Sequence, residues 1–354
     1  MERLDAIQSG AHRLTVMRIF IPIHQADPGG IMTVVRGLAG ALPDVLDPDD
    51  DLVLYGDPAS ERWGKVQRAI DQQWRAARAA RGADLVHLGD YRPLGVSRVP
   101  FVITVHDLTF LDRPDWYPRP IALYKRAMFR AALTKRPAGV VCVSEHTRKR
   151  FAAHAPRFPA ERVRVIHPGL ARPPSAEPSE GDAYFLTVGA IEPRRNHLTL
   201  LAAFRRAAPG LRWVVVGREH YRGGAIAARL RAAPGVDVRG WVSDDELERL
   251  YRGARFVAVP SQHEGFGFVP LEAMARGVPA AVATGSALDE TAGDAALRVG
   301  AGDVDGWAEA LRRLHEDEAL RSELVARGRT RAATFTWERA AREHIALFRA
   351  VAGR

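Results

Sequence analysis

Residues 260–284 read PSQHEGFGFVPLEAMARGVPAAVAT. Glu264 and Glu272 flank a run that holds Gly265 and Gly267. Pro270 is expected to open a short apolar helix and Gly277 to close it, because Pro suits the first helical turn and Gly the position just past the end. This reading puts Glu264 on a loop and Glu272 in the first turn of the helix. The free N–H groups of a first turn favour anions. A loop of small residues running into them lets a phosphate approach the backbone. A carboxylate beside that point is a good acceptor for two neighbouring hydroxyls. Together these features read as a site for a phosphate linked to a sugar.

On either side of this stretch, short β-rich runs alternate with helical ones. In the first half the strand-like pieces are 18–23, 52–55, 85–88, 101–105, 139–143 and 163–166, with helix-like runs over 31–42, 61–81, 121–135 and 145–154. Residues 171–183, ARPPSAEPSEGDA, have no apolar periodicity and read as a linker. The alternation then restarts, and Ser243 with Glu246 marks one helix start as a capping-box pair. Such alternation predicts an α/β fold of two doubly wound, Rossmann-like domains with parallel sheets. The expected division is an N-terminal domain over 1–172, a linker over 173–183, a second domain over 184–335 and a final helix over 336–354. That helix is expected to pack back on the N-terminal domain. Residues 1–16 read as a dispensable extension or an upstream start. Ligands of open α/β sheets bind outside the carboxyl ends of the strands, so the two domains should face one another across a cleft.

The chain has 354 residues, a formal net charge of +9 and one cysteine, Cys142. A single cysteine excludes disulfides and cysteine-rich metal sites within one chain. No apolar run is long enough to span a bilayer, and the stretch 16–23 is too short and too far in for a secretion signal. The expected setting is cytoplasmic, with contact at the inner face of the membrane as one option. The basic run YKRAMFRAALTKR, 124–136, reads either as a solvated helix face or as a surface resting on anionic lipid. No nucleic-acid partner is expected.

Three further patches fall where the cleft should lie. Pro28-Gly29-Gly30-Ile31 opens a helix after the first strand, either as a tight turn or as a close approach for substrate groups. His106 and Asp107 end the buried strand of FVITVHDL. Arg194 and Arg195 lie on the loop VGAIEPRRN, where two guanidinium forks suit a diphosphate; the alternative is a solvated basic loop capped by Asn196.

These patches, with GGIMTVVRGLA, TVHDL, VVCVSEHTRKRF, VIHPGL, VGAIEPRRN and HEGFGFVPLEAMARGVP, make the chain resemble the retaining glycosyltransferases of family 4, mannosyltransferase-like members in particular. The resemblance runs from about Arg18 to the C-terminus. It implies the GT-B architecture and transfer of a hexose from a nucleotide diphosphate sugar, GDP-mannose or a UDP-sugar, to a saccharide, lipid-linked or other small-molecule acceptor. It implies no cofactor beyond that co-substrate and no metal. By resemblance, Glu272 holds the ribose, and Glu264 faces the donor sugar along with Gly265, Phe266, Gly267 and Phe268. His106 reaches the transferred sugar. Gly29 and Gly30 lie near the diphosphate and acceptor, and Arg194 and Arg195 bind the diphosphate. His106, Glu264 and Arg195 are the expected catalytic residues. Two positions depart from the family pattern: Ala190 stands where an Arg is frequent, and Arg195 where Lys is usual. A sugar-nucleotide epimerase or phosphorolytic enzyme of the same fold, and a catalytically inactive binding subunit, are the competing readings. A nicotinamide dehydrogenase is disfavoured, because no Gly-x-Gly-x-x-Gly opens either half.

Overall fold

The structure is a computed structural model that describes residues 17–23, 30–56, 75–93, 95, 99–171, 182–207 and 209–353. Gly29, the expected extension at 1–16, nearly all of the expected linker and most of the expected helix over 61–81 lie outside the described residues.

Among the described residues, two six-stranded sheets form, one in each half of the chain. The first holds β1 (Arg18–Pro22), β2 (Asp51–Tyr55), β3 (Leu85–Leu88), β4 (Phe101–Val105), β5 (Gly139–Cys142) and β6 (Val163–Val165) in the order β2-β1-β3-β4-β5-β6. The second holds β7 (Asp182–Val188), β8 (Arg212–Val216), β9 (Val236–Gly240), β10 (Ala254–Val259), β11 (Ala280–Ala283) and β12 (Ala296–Val299) in the order β12-β11-β10-β7-β8-β9. Every strand pair is parallel. The central strands are near-continuous apolar runs because helices cover both faces; β4, for example, buries Val102, Ile103, Thr104 and Val105. These are the two doubly wound sheets that the alternation predicts.

Strand order fixes where loops can meet. In the second sheet the chain winds from β7 outward through β8 and β9, then returns to build β10, β11 and β12 on the other side of β7. β7 and β10 are therefore neighbours whose connections run to opposite sides of the sheet, and at such a switch point ligands bind beyond the carboxyl ends of the strands.

The helices that matter for the site are α1 (Gly30–Ala41), α2 (Arg119–Thr134), α3 (Glu145–His154), α4 (His197–Phe204), α5 (Phe268–Ala275), α6 (Leu288–Ala292) and α7 (Trp337–Ala352). As expected, α7 crosses back onto the first sheet. Its Ala340, Ala341, Ile345, Leu347 and Phe348 join one core with Met17, Ile19, Ile21, Leu85, Val102 and Val141. A side chain at Gly37 of α1 would overlap the Trp337 indole, and a Cβ at Gly169 would overlap the backbone where α7 begins, so α7 starts packed against two glycines. On α2, Ile121, Leu123 and Tyr124 stay exposed beside the exposed Arg126 and Arg130.

Two local expectations change. α5 begins at Phe268 rather than Pro270, because Gly267 adopts φ +100° and turns the chain into the helix two residues early. Glu272 consequently lies in the second turn. Asn196 does not cap α4 with its side chain: it sits at φ 59°, and its amide donates to the carbonyls of Pro260, at 3.1 Å, and Ala301, at 2.6 Å. It ties loops together instead. The Ser243 hydroxyl does accept from the Glu246 N–H, at 3.2 Å.

Candidate active site

The loops after β7 and β10 are zipped edge to edge. The Gln262 N–H donates to the Arg194 carbonyl at 2.9 Å, and the Gln262 amide donates to Asn196 Oδ1 at 3.2 Å. Arg194 and Arg195 occupy a single 3-10 turn, Pro193–Arg195, whose first residue presets the turn. Both guanidinium groups converge on Glu264, which is only 8% exposed. Arg195 Nη1 pairs with Glu264 Oε1, Arg194 Nη1 lies 3.5 Å from Oε2, and Arg194 Nε is 2.6 Å from Glu192 Oε1. The Arg195 guanidinium rests above Gly189, just past the end of β7, where a Cβ would stand 3.1 Å from its Cζ. Its Nε is buried without a hydrogen-bond partner among the described residues.

Burial acts against the charge of all three groups, with different outcomes. At Glu264 the Arg195 and Arg194 charges outweigh burial and hold the carboxyl below the usual range. At Arg194 the Glu264 and Glu192 carboxylates, helped by Asp107, raise the pKa. At Arg195 burial prevails, reinforced by the neighbouring Arg194, and the pKa falls. One carboxylate thus gathers two cations at the switch point, and one cation keeps a buried donor unused.

Glu272 sits apart from this cluster, on α5. The Tyr251 hydroxyl donates to its Oε2 at 2.8 Å, and Arg276 Nη1 donates to its backbone carbonyl at 2.8 Å. The Phe266 ring is buried against Phe335, with centroids 5.7 Å apart, and against His167, at 6.1 Å. Gly30 opens α1, and among the described residues nothing lies within 4 Å of where its Cβ would be.

The first sheet contributes the end of β4. His106 Nε2 lies 2.7 Å from the Gly89 carbonyl. A carbonyl only accepts, so Nε2 carries the proton and Nδ1 is left as the acceptor. Burial lowers the His106 pKa, which favours the neutral ring. Asp107 accepts from the Thr109 N–H at 3.0 Å. Burial opposes its charge, but Lys125, Arg194 and His263 hold its carboxyl below the usual range. Arg194 therefore feels carboxylates from both halves of the chain.

The two halves meet at the glycine loop. A Cβ on Gly265 would overlap the His106 carbonyl oxygen and stand 2.9 Å from that carbonyl carbon. The Gly265 carbonyl accepts from the Ser144 hydroxyl at 2.7 Å and the Thr147 hydroxyl at 3.1 Å. The resemblance places Gly265 among the donor-binding residues but does not point to Ser144 or Thr147. Their signal was present in VSEHT, an N-cap followed by a β-branched hydroxyl three residues on; Ser144 does cap α3, accepting from the Thr147 N–H at 3.0 Å. Trp241, just beyond β9, was also passed over. It is 63% exposed, with the Arg218 guanidinium 5.3 Å from its ring centroid.

Known proteins resemble this chain in both halves. The family model described as Glycosyltransferase Family 4 matches residues 28–171, and that described as Glycosyl transferases group 1 matches residues 172–331. O-antigen chain mannosyltransferase B of Escherichia coli is 26% identical over 275 residues, which span 70% of either protein. A D-inositol 3-phosphate glycosyltransferase of Salinispora arenicola (strain CNS-205) is 31% identical over 317 residues, 75% of this chain and 68% of that protein. Further relatives of the same two kinds are matched over 48% to 61% of their own length. Among solved structures, Anabaena HepE in complex with UDP and glucose aligns with a TM-score of 0.73 over 93% of this chain and 98% of that one, at 17% identity. That likeness is one of fold, the GT-B arrangement of two facing domains.

Proposed function

The chain belongs to glycosyltransferase family 4, and we propose that it moves a hexose, mannose by preference, from a nucleotide diphosphate sugar to an acceptor hydroxyl in polysaccharide or glycolipid assembly. The observation that carries this reading is Arg195: a buried guanidinium at the switch point, whose Nε–H has no partner among the described residues, beside a second guanidinium. Such a pair suits a diphosphate, whose oxygens accept from planar forks. The first-turn N–H groups of α5, reached through Gly267, add positive potential on the same loop. Mannose is preferred because O-antigen mannosyltransferases of Escherichia coli and Salmonella typhimurium are among the relatives.

In this reading the donor lies against the joined loops after β7 and β10. Arg194 and Arg195 offset the charge that develops on the departing diphosphate. Glu264 keeps both arginines aimed and its own carboxylate anchored. An anchored, ion-paired carboxylate is a poor covalent nucleophile, which supports attack from the leaving-group face. The departing phosphate takes the proton of the acceptor hydroxyl, and the anomeric configuration is retained. Neutral His106 offers Nδ1 to a hydroxyl of the transferred sugar. Positive charge comes from the arginines and the helix end, so no metal is needed.

Transfer from GDP-mannose to a panel of methyl glycosides, run in excess chelator, tests the reaction. Proton NMR is expected to find the donor's anomeric configuration in the product at an undiminished rate. An inverted product, or turnover that vanishes with chelator, overturns this mechanism. A parallel run with UDP-glucose decides the donor preference.

Glu272 is proposed to hold the ribose. Its Oε2 already accepts from Tyr251, so the carboxylate is fixed in orientation before the nucleotide arrives. Glu272→Ala removes charge-assisted hydrogen bonds, and donor affinity measured by calorimetry is expected to fall about tenfold to hundredfold. Unchanged affinity means that the ribose sits elsewhere.

A further inference from the structure

α6 carries a carboxylate that reaches across the cleft. Glu290 Oε1 accepts from the Glu145 N–H at 2.9 Å, and Oε2 accepts from the His146 N–H at 3.3 Å. These are the first two amides of α3, which belong to the first sheet's half of the chain. Helix-start amides have no partner within their own helix, and here a side chain from the other half takes that place. His167 Nε2, 2.5 Å from the same Oε1, adds a third contact at the crossing between the halves. Burial works against the Glu290 charge, but His167 and the two amides hold its carboxyl below the usual range.

The segment that bears Glu290 is bound to the glycine loop. The Ala287 N–H donates to the Glu264 carbonyl at 3.3 Å. A Cβ on Gly267 would stand 2.7 Å from Leu288 Cδ2 and 3.0 Å from Thr291 Oγ1, so loop and helix lie in contact. α6 is fastened from behind, where Arg331 donates to the carbonyls of Glu290 and Thr291. α3 closes the circuit, since its Ser144 and Thr147 hydroxyls grip the Gly265 carbonyl. The loop thus touches α6, α6 touches α3, and α3 touches the loop.

We propose that Glu290 is a positioning residue that latches α6 to the start of α3 and so sets the register of the Glu264–Gly267 loop against His106. It touches neither reacting group. It acts through the loop: with Glu290 bound to α3, the loop can approach His106 only where Gly265 meets Ser144 and Thr147. Nucleotide binding, which draws on residues of the second half, does not depend on the latch. Transfer, which needs both halves in register, does.

Hydrogen exchange on the full chain tests the latch directly, and transfer kinetics tests its consequence. Glu290→Ala is expected to speed exchange of the Glu145 and His146 amides and to lower kcat by about tenfold or more, with nucleotide diphosphate affinity within twofold of wild type. Glu290→Gln, which keeps a carbonyl acceptor for α3, is expected to fall between the two. Asp289→Asn is the control, because among the described residues that carboxylate bonds to Gly285 and Arg298, within its own half; exchange at α3 should stay at the wild-type level. Unchanged exchange at α3 in Glu290→Ala overturns the proposal, and so does nucleotide affinity that falls as far as kcat. If Glu290→Ala does not fold, exchange in Glu290→Gln decides. The kinetic arm rests on the proposed transferase activity and the exchange arm does not. A wild-type chain that transfers no sugar but shows the α3 exchange change therefore fails the former alone.

Discussion

Gly265→Ala is expected to lower kcat about a hundredfold while leaving nucleotide diphosphate binding nearly intact. The added methyl would overlap the His106 carbonyl oxygen and lie 2.9 Å from its carbon and 3.1 Å from Asp107 Cβ. Backbone atoms at the end of a central strand cannot swing aside as a flexible side chain does. Gly265 is not among the glycines with positive φ, so alanine can adopt the loop conformation without strain. The clash is therefore confined to the meeting of the two halves. Relief requires the loop to withdraw by about an ångström, and such a misplacement costs about a hundredfold in rate, or about 2.7 kcal/mol. The Ser144 and Thr147 hydroxyls lose their common acceptor at the same time. Gly40→Ala is a matched control, since among the described residues nothing lies within 4 Å of its Cβ position and α1 gains a better helix former. Turnover of Gly265→Ala within threefold of wild type, by steady-state kinetics with saturating donor, would show that close approach of the halves is dispensable.

That glycine also marks how far the sequence carries. Alternating runs were legible because each strand and helix declares its own period, and a parallel sheet buries both faces of a strand such as 101–105. The placement of Arg194 and Arg195 after one strand, and of Glu264 after another, followed from local turns. Their meeting at one point follows from strand order, which the sequence does not print. Glu290 was hidden for a related reason. ALDET is a local acidic turn by any sequence reading, and its partners are two amides 144 and 145 positions away. Backbone amides leave no trace in side-chain identity, so no pairing of charges could have found them. The start of α5 depends on a backbone angle that the sequence does not display. Pro270 is compatible with a first turn, but Gly267 at φ +100° decides where the turn begins. Ala190 stands where the resemblance leads one to expect an Arg. The turn after it brings two arginines to Glu264, so the positive charge of this site comes from Arg194 and Arg195.

Arg195→Ala is expected to cost both stability and turnover, and the two losses can be separated. The variant leaves Glu264 buried with Arg194 at 3.5 Å as its nearest cation. Breaking a buried ion pair by removing one partner costs about 3–5 kcal/mol, so the melting temperature should fall. The sign of its pH dependence follows from Glu264. In the wild type, Arg195 is the largest charge opposing burial, and it holds the folded carboxyl below its unfolded pKa. That stabilisation is present above the unfolded pKa and is lost as pH falls through the folded one. The deficit of Arg195→Ala should therefore be full at neutral pH and shrink in acid. Pairing Arg195→Ala with Glu264→Gln removes the stranded charge and should recover much of the lost stability. It cannot restore a cation to the diphosphate. Losing a preorganised donor aimed at developing charge costs about a hundredfold to a thousandfold in kcat, and the double variant should remain that slow at its recovered melting temperature. Arg195→Lys, which keeps a positive charge, should recover most of the turnover. Wild-type kcat in the double variant would remove Arg195 from the chemistry and leave it only a partner for Glu264.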